Sequence, residues 1–273
     1  LGMQAFGLEE SNQYVQAETT GRRALDIDPI DAWAVHAVVH VLEMEGRSQE
    51  GIAFLTERET DWAQDNGFSF HNWWHLALMH LDEGHDDRVL AIFDEHIDGV
   101  DDTMVMVDIT AMLWRLHLLG FDVRERMQRS AQVWARKLDA NDKGFYAFND
   151  FHAAMAFAAV QDDARLAELQ SALATSAQGA AISNRVMSAE VGAPLVHGLR
   201  QFAQGDFVGA AKTLLDAREG AHRFGGSHAQ RDVIELTLLS AAHQAGDHNL
   251  SRHLRNERRL SKPQDVLGGR ICA

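Results

Sequence analysis

Apolar residues recur along this chain at the three- and four-residue spacing of amphipathic helices, while runs of β-branched residues stay short. That pattern predicts helices over 10–26, 32–45, 49–63, 70–83, 86–97, 104–119, 123–139, 148–160, 163–175, 187–204, 207–220, 228–245 and 248–259. Longer loops are expected around 98–103, 140–147 and 176–186. Residues 260–273, with Lys262, Pro263 and the Gly268-Gly269 pair, read as a C-terminal tail. A parallel α/β fold would need recurring Val/Ile-rich strands, which this pattern lacks. Three prolines leave room for long uninterrupted helices.

The helices end on a recurring turn. Met44-Glu45-Gly46-Arg47, Asp82-Glu83-Gly84-His85, Leu118-Leu119-Gly120-Phe121, Ala203-Gln204-Gly205-Asp206 and Gln244-Ala245-Gly246-Asp247 share it, and Val160-Gln161-Asp162-Asp163 reads as a degenerate member. The turns fall roughly 35–45 residues apart, at or somewhat above the ~34 of a tetratricopeptide unit. Small residues sit where paired helices must approach closely: Ala17, Gly21 and Ala24, with Asp28-Pro29 closing that unit, and later Gly198, Gly205 and Ala210 with the larger Leu214. The expected fold class is all-α, a tetratricopeptide-type helical-hairpin solenoid. It would form one domain over 1–259, with about six to seven helix pairs, the first incomplete.

In such a superhelix the first helix of each pair lines the concave groove. Counting back from Gly46 by the helical period places Trp33, His36, His40 and Glu43 on the groove face, and Val38, Val39 and Leu42 in the core. The next first helix carries His71-Asn72-Trp73-Trp74-His75, with His80 and His85 beyond. Here His71 and Trp74 face the groove and His75 lies at its edge. Two histidine pairs at i and i+4 admit three readings. They could chelate a divalent transition metal, with Glu43 or Asp108 completing the shell. They could handle protons or bind a ligand as neutral imidazoles. Or they could be structural, hydrogen-bonded between helices with Trp33, Trp73 and Trp74 as core. The His-Glu-x-x-His arrangement of zincins is absent, since Ala37 follows His36.

Other polar residues interrupt apolar helices. Arg115 lies inside the run from Ile109 to Leu116 and calls for a carboxylate on a neighbouring helix, because Asp108 is seven residues away. Asp150 and His152 open the helix running to Val160, where Asp150 reads as a cap or a groove residue. In Gly225-Gly226-Ser227-His228-Ala229-Gln230-Arg231-Asp232, Ser227 and Gln230 make a capping box. His228, Arg231 and Asp232 then cluster at a helix N-terminus that would attract an anion. No nucleophile elbow occurs, and the single cysteine, Cys272, has no evident catalytic partner.

The net charge of −15 disfavours nucleic acid and anionic membrane surfaces and suits a cationic or peptide partner. One cysteine in 273 residues fits a reducing cytoplasm. No apolar run approaches the ~20 residues of a membrane span, and no signal peptide is visible. The chain opens on Leu1 inside what reads as a repeat, as a piece of a longer protein would.

The stretch from Asp31 to Met44, His71-Asn72-Trp73-Trp74-His75-Leu76-Ala77-Leu78, Leu113-Trp114-Arg115-Leu116 and the string Gly225 to Asp232 together resemble the tetratricopeptide repeat protein 38 family. That resemblance runs through nearly the whole chain. It implies a helical-repeat fold in a soluble protein and brings no established activity. The leading functional expectation is a binding module that holds a small molecule or peptide segment through His36, His40, His71, Trp74 and Arg231. The runner-up is a metal-dependent or acid–base enzyme with His36, His40, His71 and His75 as ligands and Glu43 or Asp232 as general base. The third is a protein–protein scaffold.

Overall fold

The computed structural model describes residues 1–64, 66–139, 143–179, 182–263 and 265–273; among these it is all-α, with no strand. In chain order the helices are α1 (Gly2–Glu9), α2 (Tyr14–Ile27), α3 (Ala32–Met44), α4 (Ser48–Glu57), α5 (Glu59–Trp62), α6 (Ser69–Asp82) and α7 (Asp86–Ile92). They continue as α8 (Thr103–Leu118), α9 (Arg124–Asp139), α10 (Ala147–Ala159), α11 (Asp163–Ser176), α12 (Ile182–Met187) and α13 (Ala193–Ala203). The last are α14 (Phe207–Ala217), α15 (His228–Gln244), α16 (His248–Ser261) and α17 (Leu267–Ile271). No helix is long and apolar enough to cross a membrane, among the described residues.

Most predicted helices coincide with these to within a few residues. The differences are local. Arg58, outside helical geometry at φ −109° and ψ 13°, splits the predicted 49–63 into α4 and α5. The stretches predicted as 86–97 and 187–204 each contain a wider π-helical turn, Phe93–Ile97 and Ser188–Gly192. α1 and α12 were not predicted, being too short to show a period. Of the expected loops, residues 140–142 and 180–181 lie outside the described residues. The expected tail is partly ordered structure: Leu267 and Ile271 are buried on α17, and Lys262 pairs with Asp82 at 3.2 Å.

Every repeated turn closes in the same way. The glycines at 46, 84, 120, 205 and 246 all hold a left-handed φ between +68° and +83°, and Gln161 takes the same role at +59°. In each, the amide two residues past the C-cap reaches back to the carbonyl five residues earlier, as in Arg47 to Leu42 at 2.7 Å and Asp162 to Phe157 at 2.9 Å. This Schellman closure satisfies helix-end carbonyls and needs a residue that tolerates positive φ, hence glycine.

Contacts divide the chain into two compact units: Leu1–Val100 with Asn256–Gly269, and Asp101–Arg255 with Arg270–Ala273. In the first, α1 and α2 both lie against α3, and α3 in turn against α4 and α6. The small-residue stripe makes this contact close. Ala17, Gly21 and Ala24 are buried, and a Cβ on Gly21 would stand 2.7 Å from Val38 Cγ2.

The second unit departs from an open repeat stack, in which each pair touches only its neighbours. α8 packs on α10 and α10 on α13, but α15 comes back against α8. Polar bonds fix that closure. Trp114 Nε1 donates to Thr237 Oγ1 at 2.9 Å, Arg115 donates to the Ala229 carbonyl at 2.9 Å, and Gln230 Nε2 donates to Asp108 at 3.3 Å.

Gly226 marks the approach to α15, at φ +74° with a Cβ position that would run into the Phe148 ring. Left-handed backbone and overpacking act together here. Gly226→Ala should therefore lower the unfolding free energy of the second unit by about 2–4 kcal/mol. Gly120, with a similar φ of +83° and nothing near its Cβ position, should lose only about 1 kcal/mol as Ala in the same urea titration.

Candidate functional site

α3 begins at Asp31, whose carboxylate accepts from the Ala34 amide at 3.1 Å and so sets the helical phase. Spacings of four and three then bring His36, His40 and Glu43 onto one face. α6 sets His71 and His75 opposite them. The four imidazoles form a closed quadrilateral with ring centroids 4.3 Å apart for His36–His40, 4.5 Å for His40–His75, 4.7 Å for His71–His75 and 4.9 Å for His36–His71. Each offers one nitrogen so placed that all four lie within 4.8 Å of one another.

The phasing placed these histidines on or at the edge of a groove face, and the structure buries them. His36 is 2% exposed, His40 and His75 0%, and His71 7%. The cover is α1, which brings Phe6 within 5.0 Å of the His36 ring and Glu9 within 3.3 Å of His40 Nδ1. His75, placed by phasing at an edge, sits inside the cluster. Trp74, expected in the groove, is wholly buried and stacks on His71 at 5.3 Å. Only Trp33, 39% exposed, remains substantially open to solvent; it stacks on Phe68 at 4.9 Å.

Two carboxylates stand behind the imidazoles. His75 Nδ1 donates to Glu43 Oε2 at 2.7 Å, which fixes the tautomer whose Nε2 carries the lone pair. Glu9 has the corresponding position beside His40. His36 is different, because neither of its ring nitrogens has a hydrogen-bond partner although the residue is buried. Burial holds its pKa well below the ordinary histidine value, and the neighbouring His40, His71 and His75 push the same way. It is thus a neutral imidazole with a lone pair, the form that binds metal.

Glu9, Phe6 and Phe68 were not among the sequence candidates. The Phe6/Glu9 spacing of three, on a segment ending just before the Asn12 turn, is the signal that could have marked α1 as a cover.

The other predicted residues lie in the second unit, and there polar groups serve mainly to join elements. Arg115, 1% exposed, donates to the carbonyls of Ala111 and Ala229. Asp108 receives the Gln230 amide. Asp150 does not cap its own helix; both its oxygens accept from the Gly144 amide at 3.1 Å. His152 Nδ1 donates to the Phe148 carbonyl at 2.8 Å. The capping box of Ser227 and Gln230 is formed as the spacing requires. Arg231 is held against the Gly225 and Gly226 carbonyls and reaches His228 Nδ1 at 3.2 Å. Asp232 is half-buried one residue further on. The histidine cluster is built without any of these residues.

Burial pushes His152 down to about 4, with the nearby Arg115 charge adding to it. The unfolded chain takes up that proton near pH 6.5, the fold only near 4. Stability from this group is therefore complete above pH 6.5 and lost as pH falls toward 4, by roughly 3 kcal/mol. In urea titrations the gap between wild type and His152→Gln should narrow by about that amount from pH 7 to pH 4. A gap independent of pH would show that His152 protonates equally in both states.

No protein-family model matches the chain, so geometry alone carries the functional reading.

Proposed function

We propose that the first unit is a metal-binding module that holds one divalent transition-metal ion on His36, His40, His71 and His75. The observation that carries this reading is the convergence of four buried imidazoles, their ligand atoms all within 4.8 Å, around a His36 that has no hydrogen-bond partner. A purely structural role would leave each buried ring bonded, since an unsatisfied buried polar group costs about 1–3 kcal/mol. Four nitrogen donors suit zinc, copper or nickel better than magnesium or calcium.

Glu43 is the orienting partner of His75, the carboxylate–histidine pairing that supports metal ligands, and Glu9 lies 3.3 Å from His40 Nδ1. Together they place two carboxylates beside the imidazole cluster. An ion with four imidazoles has a complete tetrahedral shell, which favours a binding and stabilising role over catalysis. When bound, the metal would supply positive charge and rigid crosslinking of α3 to α6.

The ligand-binding expectation survives in a narrower form: a groove ligand would meet the Trp33 and Phe68 rings rather than the histidines. The tetratricopeptide-type solenoid and the resemblance to the tetratricopeptide repeat protein 38 family belong to this proposal, supported by the six in-phase turns. The lone Cys272 fits a reducing cytoplasm.

Untagged protein should contain close to one equivalent of zinc, copper or nickel by elemental analysis. Chelation should then lower the melting temperature, and restored metal at a thousandfold over Kd should return about 4 kcal/mol. His36→Ala with His71→Ala should abolish binding, and Glu43→Gln should weaken it about 10–100-fold. Metal-free protein whose melting ignores both chelator and added zinc would overturn the proposal.

A further inference from the structure

Glu9 is the last residue of α1 and Glu10 its C-cap, and on a helix consecutive side chains point about 100° apart. Their carboxylates nonetheless come together. One oxygen of each and one nitrogen of His40 all lie within 4.8 Å of one another. Glu9 and His40 are wholly buried, and Glu10 is half-buried. A hydrogen bond to the His40 ring would occupy one carboxylate and leave the second unexplained.

We propose that Glu9, Glu10 and His40 hold a second divalent ion beside the one assigned to the four histidines, with His40 shared between the two. The inference rests on that first assignment, which already makes His40 a metal ligand.

The His40–Glu9 contact has the spacing of two ligands on one ion. Donors bound at about 2.0–2.1 Å with a tetrahedral angle stand about 3.3 Å apart, and His40 Nδ1 lies 3.3 Å from Glu9 Oε2. The His75–Glu43 pair, at 2.7 Å, is the hydrogen-bonded case in the same cluster. Two carboxylates as close as Glu9 and Glu10 either share a proton or hold a cation, and the proton is what the ion displaces.

With Nδ1 of His40 turned to Glu9, Nε2 is left for the first ion, the same nitrogen that the Glu43 bond leaves on His75. A ring that binds through both nitrogens gives up its N–H proton to solvent. Two carboxylates and one imidazole make three protein ligands, which leaves an open position for water where four imidazoles leave none. The oxygen donors suit zinc or manganese. With fewer protein ligands and another dication close by, the second ion is held more weakly than the first. Purified protein therefore keeps the first ion, and the second returns on titration.

The test titrates the chelator-stripped full chain with zinc chloride, following bound zinc by competition with a chromophoric chelator and heat by calorimetry. Two equivalents should bind, the second about tenfold or more weaker, and its uptake should release protons, seen as a heat that depends on the buffer. Glu10→Gln, at a half-buried position, should weaken the second ion about 10–100-fold and leave the first ion and the melting of the one-ion form unchanged. Glu9→Gln with Glu10→Gln should abolish the second ion. A wild type that takes up a single equivalent, a second equivalent bound without proton release, or one that survives in the double variant would overturn this proposal and leave the four-histidine assignment standing. A wild type that binds no zinc would overturn both.

Discussion

The left-handed residue that ends each first helix sets the phase on which the rest of the chain depends. A helix can bury a chosen face only if its end is fixed in rotation, and the Schellman closure fixes it through two bonds and one positive φ. At Gly46 this aligns Trp33, His36, His40 and Glu43 along one side of α3. At Gly84 it does the same for His71 and His75 on α6. Where Gln161 replaces glycine the closure still forms, with a φ of +59°, so the motif is imposed by the helix pair as much as by the residue.

The two units treat buried polarity differently. In the second, large polar side chains are tied between helices: Trp114 to Thr237, Trp134 Nε1 to Thr110 at 2.8 Å, and Thr110 to Ser130 at 2.9 Å. Such bonds specify which helix meets which. In the first, four imidazoles converge on one another, with Glu43 bonded to His75 and Glu9 beside His40.

How much of this was legible in the sequence depends on the range of the interaction. Turns, caps and helix extents are local, so the glycines, the Ser227–Gln230 box and most helix boundaries could be read directly. The i, i+4 pairs on α3 and α6 were legible for the same reason. Burial was not. His36 and His40 were placed on a groove face, and phasing says which way a residue points, not what lies over it. The cover, α1, has eight residues and two glycines, too little for a period to emerge. The bond from Arg115 to the Ala229 carbonyl was likewise hidden, because that acceptor on α15 is 114 residues distant. Backbone carbonyls carry no sequence signature.

That long-range closure bears on how the chain acquires its structure during synthesis. Helix pairs with local contacts can form as they leave the ribosome, but α8 cannot complete its surroundings until α15 has been made, 123 residues later by the Trp114–Thr237 bond. Until then the Trp114 indole N–H on α8 lacks its Thr237 acceptor, and Arg115 lacks the Ala229 carbonyl. The second unit therefore reaches this part of its structure only after α15 has been synthesised.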